Sequence, residues 1–130
     1  SAAEAAQRQA DEKKQAELDR VLLATFSSED DIAMAREGQI ANIGSQIRIT
    51  EEHIKKLNGS LDELIAKAAD NEKRGRPVSE DLRKGIENTR KQIGDEQAFV
   101  KNRQAEAEKI RAKFEADLRR FRELRGKKSP

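Results

Sequence analysis

The only histidine of the chain, His53, is the first candidate for metal or proton chemistry. Its neighbours Glu51 and Glu52 are carboxylates, but adjacent side chains diverge on a helix and cannot work as a paired acid and base. A metal site on a helix needs a second ligand three or four residues away on the same face. Those positions carry no such ligand: Ile49, Thr50, Lys56 and Leu57. We therefore expect His53 to be a solvated residue on the flank of a helix.

Motifs of enzyme active sites are missing from the rest of the sequence as well. The 130 residues contain no cysteine, which excludes thiol catalysis, zinc–thiolate sites and disulfides. No phosphate-binding loop, dinucleotide fingerprint or nucleophile elbow is found. From the sequence we therefore expect no enzyme activity, no cofactor and no metal.

A basic run near the C-terminus is the second candidate for chemistry. Its cations are of the type that binds the phosphates of nucleic acid or an anionic surface: Arg119, Arg120, Arg122, Arg125, Lys127 and Lys128. Phe121 and Leu124, however, have the spacing of a helix seam, and aromatic residues make up only 3% of the chain, too few for a base-stacking platform. A solvated, partly neutralised face is the preferred interpretation, and anion binding is the alternative.

The elements that position these residues are long helices with apolar seams. Between residues 40 and 68 apolar side chains recur at alternating spacings of three and four, with Thr50 as the one interruption: Ile40, Ile43, Ile47, Ile54, Leu57, Leu61, Leu64 and Ala68. Four heptads of this kind indicate a coiled coil. A second seam of the same spacing covers residues 82–124. Three charged residues occupy seam positions there: Glu96, Arg103 and Asp117.

Capping and turn residues divide the chain into three helices. Ser27 or Ser28 can cap the second helix, Gly75 suits the left-handed position after its end, and Gly59 is interpreted as a glycine tolerated inside it. The predicted elements of this single helical domain, residues 1–130, are helices at about 2–25, 29–74 and 79–125, a turn at 75–78 and a frayed tail at 126–130.

Two helices of similar length joined by a short turn pack antiparallel. A turn near residue 75 pairs positions whose numbers add to about 150, so that Leu57 meets Ile93 and the two seams come into register. We therefore predict an all-α fold, a long antiparallel coiled-coil helical hairpin with a shorter N-terminal helix packed at its open end. At that end the register gathers an apolar cluster of Leu22, Leu23, Phe26, Phe114 and Phe121.

The charges are unevenly distributed along the chain. The balance is −4 for residues 1–31, zero for residues 32–100 and +6 for residues 101–130. The predicted register places the acidic residues 29–31 beside three arginines, which explains much of this asymmetry within the fold: Arg119, Arg120 and Arg122. Exposed ion pairs of this kind add little stability each, but they disfavour other arrangements of the helices.

Three apolar residues lie outside both seams and form a candidate interaction surface: Ile49, Ile65 and Phe99. A covering element is either the first helix, folded back, or another subunit. The first helix is too short to reach Ile65 along a helix of about 45 residues. We therefore expect self-association, as a two-fold homodimer, because closed dimers are the commonest oligomers.

The segment from Leu22 to Ile32, followed by Ala35-Arg36, resembles a motif in uncharacterised coiled-coil proteins of the proteobacterial cell envelope. In those proteins a similar Leu-rich, aromatic-Ser-Ser-acidic segment of about fifteen residues precedes a long heptad helix. The resemblance implies an exported protein in the periplasm or cell envelope, with the cytoplasm as the alternative. It implies no catalytic or binding residue.

These features predict a non-enzymatic structural or protein-interaction coiled-coil module, a spacer or scaffold whose partner is another protein or a second copy of the chain. The alternative is an accessory protein that binds nucleic acid or an anionic surface through its basic C-terminal helix. The sequence contains no run of eighteen apolar residues, so no transmembrane segment is expected.

Overall fold

The structure is a computed structural model that describes residues 1–128, with side chains through residue 126. This part of the chain holds three α-helices and no strand: α1 Ala2–Thr25, α2 Glu29–Lys73 and α3 Glu80–Lys128. The all-α prediction is confirmed, and the predicted starts and ends agree to within one residue except at the end of α3. That helix continues three residues beyond the expected end, through Gly126, so the predicted tail is helical as far as the structure describes it.

The junction between α1 and α2 is held by two reciprocal caps. Phe26 leaves the helical conformation, with φ −120° and ψ 133°. The Ser28 hydroxyl then accepts a hydrogen bond from the Asp31 backbone N–H at 3.1 Å, which makes Ser28 the N-cap of α2. The Asp31 carboxylate reaches back and accepts from the Ser27 backbone N–H at 3.0 Å. One of the four unpaired N–H groups at the start of α2, that of Asp31, is thereby satisfied, together with the Ser27 N–H just before the helix.

The α2–α3 connection begins with a Schellman motif. Gly75 has a φ of +71°, the left-handed conformation expected after the end of α2. Its N–H donates to the Glu72 carbonyl at 3.0 Å, and the Arg76 N–H donates to the Asn71 carbonyl at 2.7 Å. Ser79 then caps α3 by accepting from the Leu82 N–H at 3.1 Å. The glycine at position 59 lies inside a continuous α2, as predicted.

The chain forms two compact units, one of Ser1–Ile40 with the chain from Glu108 onward and one of Ala41–Ala107. In the second unit every seam position is buried or half-buried, and the three most buried are Ile43, Ile93 and Val100. Two contacts define the pairing of α2 with α3 there.

The first contact joins His53 to Glu96, and the second joins Leu64 to Gly85, where a Cβ would lie 3.6 Å from Leu64 Cδ1. The residue numbers of both pairs add to 149. The contacts follow opposite orders along the two helices, so they fit a hairpin.

The first unit has a hydrophobic core to which all three helices contribute. Its buried members are Leu22 of α1, Ile32 of α2 and Phe114 and Phe121 of α3. Partly buried residues surround them: Leu23, Phe26, Ala35, Ile110, Leu118 and Leu124. The Phe26 and Phe114 rings meet edge to face, with centroids 6.4 Å apart. The predicted cluster of three phenylalanines with Leu22 and Leu23 is thus confirmed.

Only the last two turns of α1 contain buried or half-buried residues. Residues 1–18 are all exposed, whereas Asp19, Leu22 and Leu23 are buried or half-buried. This agrees with the sequence, where the apolar face of α1 is thin at its start and dense at its end. The exposed half of α1 is held by local contacts along the helix, such as the hydrogen bond from Gln7 to Asp11 at 2.9 Å.

Candidate interaction surfaces

His53 is exposed on α2 and contacts a residue of α3. Its Nδ1 atom is 2.5 Å from Glu96 Oε1, an ion pair when the imidazole is protonated. His53 is exposed, as expected, but its contact with Glu96 was not predicted. Sequence spacing missed this pair because the partner is 43 residues away and on another helix. Among residues 1–128 no group of three or more His, Cys, Asp or Glu side chains is arranged to hold a metal ion.

Glu96 occupies a seam position, between the apolar layers of Ile93 and Val100. Its Oε1 atom contacts His53, but its Oε2 atom is buried without a hydrogen-bond partner among the described residues. A carboxylate oxygen buried in this way destabilises the fold unless something compensates. We therefore expect this layer to stabilise the seam less than its apolar neighbours Ile93 and Val100.

The three candidate interaction residues are exposed to different degrees. Ile49 is the most exposed, at 72%, followed by Phe99 at 42% and Ile65 at 38%. Ile49 shares a shallow surface groove on α2 with four polar residues: Arg48, Glu52, His53 and Lys56. All three therefore present apolar surface to solvent in the described chain.

Ile49 and Phe99 lie on the same face of the second unit. Ile49 is one turn before His53 on α2, and Phe99 is one turn after Glu96 on α3. Residue numbers rise along α2 where they fall along α3. One turn back along α2 and one turn forward along α3 therefore lead to the same side of the His53–Glu96 pair. Ile65 follows the seam residue Leu64 directly and therefore points to the other flank of the seam. We call the face that carries Ile49 and Phe99 the 49/99 face.

Three of the candidate anion-binding arginines have partners within the first unit. Arg122 Nε donates to Glu29 at 2.5 Å, as the predicted register requires. Arg125 Nη2 donates to the Ser27 carbonyl at 2.9 Å, and its guanidinium lies 4.8 Å from the ring centroid of Phe121. These contacts hold both cations against the start of α2.

Arg120 was expected beside residues 29–31, and this was wrong. Its Nε and Nη2 atoms donate to both carboxylate oxygens of Asp19 on α1, at 2.9 and 2.8 Å, and its Nη1 donates to Glu123 at 2.9 Å. The hydrogen bonds to Asp19, and then to Glu123, raise the pKa of Arg120 above its usual value. Arg119 is exposed, and the side chains of Lys127 and Lys128 lie outside the described residues.

The chain was compared with protein-family models, with curated proteins and with solved structures. Nothing matches. The resemblance of the segment around Leu22–Ile32 to envelope coiled-coil proteins therefore stays a prediction. None of the described helices is long and apolar enough to span a membrane.

A further exposed apolar surface lies in the first unit, and the sequence interpretation did not single it out. Leu18 and Val21 are exposed on α1, at the edge of a groove that also includes Phe26 and, on α3, Ala116 and Arg120. The signal was present in the Leu-rich end of α1. That end holds five large apolar residues, but only part of its face is buried.

Proposed function

We propose that the chain is a non-enzymatic protein-interaction module, a spacer or scaffold, in which α2 and α3 form an antiparallel coiled coil over residues 41–107. The seam supports this proposal. Apolar residues recur at heptad spacing on both helices, their positions are buried or half-buried, and the two cross-helix contacts agree on one register.

The proposed interaction role rests on one observation, the exposure of the 49/99 face. The two seams already cover one another, so Ile49 and Phe99 are not needed to hold α2 against α3. They nevertheless place two large apolar side chains on one side of the helix pair, level with each other. Exposed apolar groups gathered on one face and surrounded by polar residues are typical of protein-interaction sites.

Photo-crosslinking in cells tests the interaction role. A benzophenone amino acid is placed at position 49 or 99 and, as a control, at position 55, where exposed Lys55 lies away from the 49/99 face. We expect a discrete adduct of higher mass from positions 49 and 99 and none from position 55. Absence of an adduct at both 49 and 99, in cells that make the protein, would contradict the module.

The runner-up function is the binding of nucleic acid or another polyanion by the C-terminal part of α3. The excess of six positive charges in residues 101–130 favours it. The internal partners of Arg120, Arg122 and Arg125 argue against it, because phosphate binding has to compete with those contacts.

Titration with duplex and single-stranded DNA at two salt concentrations distinguishes the two functions. The interaction module predicts weak binding at both concentrations. A high affinity that falls steeply as salt rises would favour the runner-up, since each phosphate contact releases counterions.

We also propose the periplasm or cell envelope as the compartment, supported by the resemblance of the segment around Leu22–Ile32. Fractionation of cells that express the full-length gene product tests it. Recovery of the protein with cytoplasmic markers alone would contradict the proposal.

A further inference from the structure

The 49/99 face carries charges as well as apolar groups. Lys56 lies two turns beyond Ile49 on α2, and Asp95 lies one turn before Phe99 on α3, so each shares the face of its neighbour. Both are exposed, and neither forms an ion pair with another described residue. The face thus has an apolar centre and, on one side of it, a cation on α2 and an anion on α3.

These residues occupy matching levels on the two helices. The residue numbers of Ile49 and Phe99 add to 148, and those of Lys56 and Asp95 add to 151, against 149 for the His53–Glu96 contact. A difference of two residues corresponds to about 3 Å along a helix, within reach of a lysine side chain. Ile49 and Lys56 on α2 therefore each have a complement on α3 at a similar level.

From this arrangement we propose that the 49/99 face is a homodimer interface, whose occupant is the same face of a second copy. A two-fold axis parallel to the helices places α2 of one copy against α3 of the other. Ile49 then packs on Phe99 of the second copy, and Lys56 pairs with Asp95 of the second copy. Each contact occurs twice. The face is therefore complementary to itself, because apolar groups meet apolar groups and each charge meets its opposite.

The proposal rests on the proposed interaction role and names its partner. A different protein with an apolar, charge-matched helix face is the competing occupant. The self-complementary charges favour a second copy, because an unrelated partner imposes no requirement that Lys56 and Asp95 lie at one level on opposite helices. With four large apolar side chains at its centre, the interface is small, and we expect a dimer that dissociates on dilution.

Sedimentation equilibrium over a concentration series measures the mass directly. The wild-type chain is expected to move from its monomer mass of 14.7 kDa toward twice that value as concentration rises. Ile49→Glu should weaken dimerisation at least about tenfold, because it places a charge in the apolar centre. Ile65→Glu, on the other flank of the same helix, is the matched control and should leave the dimer unchanged.

Exchanging the charges at positions 56 and 95 distinguishes contacts between two copies from contacts within one copy. Lys56→Glu alone, or Asp95→Lys alone, sets like charges against each other across the two-fold axis and should weaken the dimer. A mixture of the two single variants should dimerise again, since every pair across the heterodimer is then of opposite charge. No effect within one chain predicts this recovery.

Three results would overturn the proposal: a wild-type mass of one chain at every concentration, equal effects of Ile49→Glu and Ile65→Glu, or a mixture that associates no better than either charge variant. Circular dichroism at low concentration confirms that each variant is folded. If the purified chain is monomeric but position 49 still crosslinks to another protein in cells, the dimer fails and the interaction module stands.

Discussion

At the scale of single residues, the four phenylalanines divide into a core group and an exposed one. Phe121 is 3% exposed within the core of the first unit, whereas Phe99 is 42% exposed on the second unit. Phe121→Ala should lower the free energy of unfolding by about 3–5 kcal/mol, because a filled core site becomes a cavity. Phe99→Ala should cost less than about 1 kcal/mol under dilute, monomeric conditions.

Urea unfolding of both variants beside the wild type checks this difference. Equal losses for the two substitutions would contradict the assignment of Phe121 to the core and Phe99 to the surface.

Asp19 is the residue that ties α1 to α3 by charge. Its carboxylate accepts two hydrogen bonds from Arg120, and its side chain is largely shielded from solvent. Asp19→Asn removes the charge and one acceptor, so the melting temperature should fall. Asp62→Asn, the same change at an exposed position of α2, is the control and should leave it unchanged. Equal melting temperatures for Asp19→Asn and the wild type would show that the pair adds nothing to stability.

Pairs between distant residues were the part of the molecule that sequence spacing predicted least well. The contact of Arg122 with Glu29 follows from the heptad register and was expected. The contact of Arg120 with Asp19 depends instead on how α1 packs against α3, which the heptad register of α2 and α3 does not specify. The contact of His53 with Glu96 was missed because His53 lies beside the seam and was compared only with residues of its own helix.

At the scale of elements, Gly75 in the turn after α2 and Gly59 inside α2 are expected to respond in opposite ways to replacement by alanine. Gly75 holds a φ of +71° where a Cβ would meet no other atom within 4 Å, so strain in the backbone is the only cost of a side chain. Gly75→Ala should destabilise by about 1 kcal/mol. Gly59 lies inside α2, and a Cβ there would also meet no other atom within 4 Å. Gly59→Ala should therefore stabilise the protein by about 0.5–1 kcal/mol.

Thermal or chemical unfolding of the two variants measures both changes in stability. The substitution, glycine to alanine, is the same in each. Destabilisation by Gly59→Ala would show that the helix is perturbed at this position, and an unchanged stability of Gly75→Ala would contradict the left-handed conformation.

Helix boundaries were predicted well where they have a chemical signal and poorly where they have none. Ser28, Gly75 and Ser79 each satisfy backbone groups at a helix end, and sequence motifs for such caps are local. The end of α3 was placed too early because residues 126–130 were predicted to form a frayed tail, whereas the helix continues to Lys128. Glycine commonly ends a helix by adopting the left-handed conformation, and Gly75 is the only described residue with a positive φ.

At the scale of the whole molecule, the heptad spacing predicted the pairing of α2 with α3 because the period fixes which side chains face a neighbour. The second unit reproduces that pairing to within one residue number, 149 against about 150. Exposed apolar residues carry no such constraint. Ile49 and Phe99 could be recognised as surplus in the sequence, but their common face became clear only from the His53–Glu96 contact.

Both the proposed coiled coil and the 49/99 face depend on the register of α2 against α3. The chain has no cysteine, so a pair introduced by mutation forms the only disulfide available. Leu57→Cys with Ile93→Cys places two thiols at one level of the seam. Leu57→Cys with Val100→Cys separates them by one heptad, about 10 Å, which is beyond the span of a disulfide.

Oxidation in dilute solution, followed by electrophoresis without reductant, measures closure within one chain. We predict a complete intramolecular disulfide for the 57/93 pair and none for the 57/100 pair. Closure of the 57/100 pair, or failure of the 57/93 pair, would contradict the register.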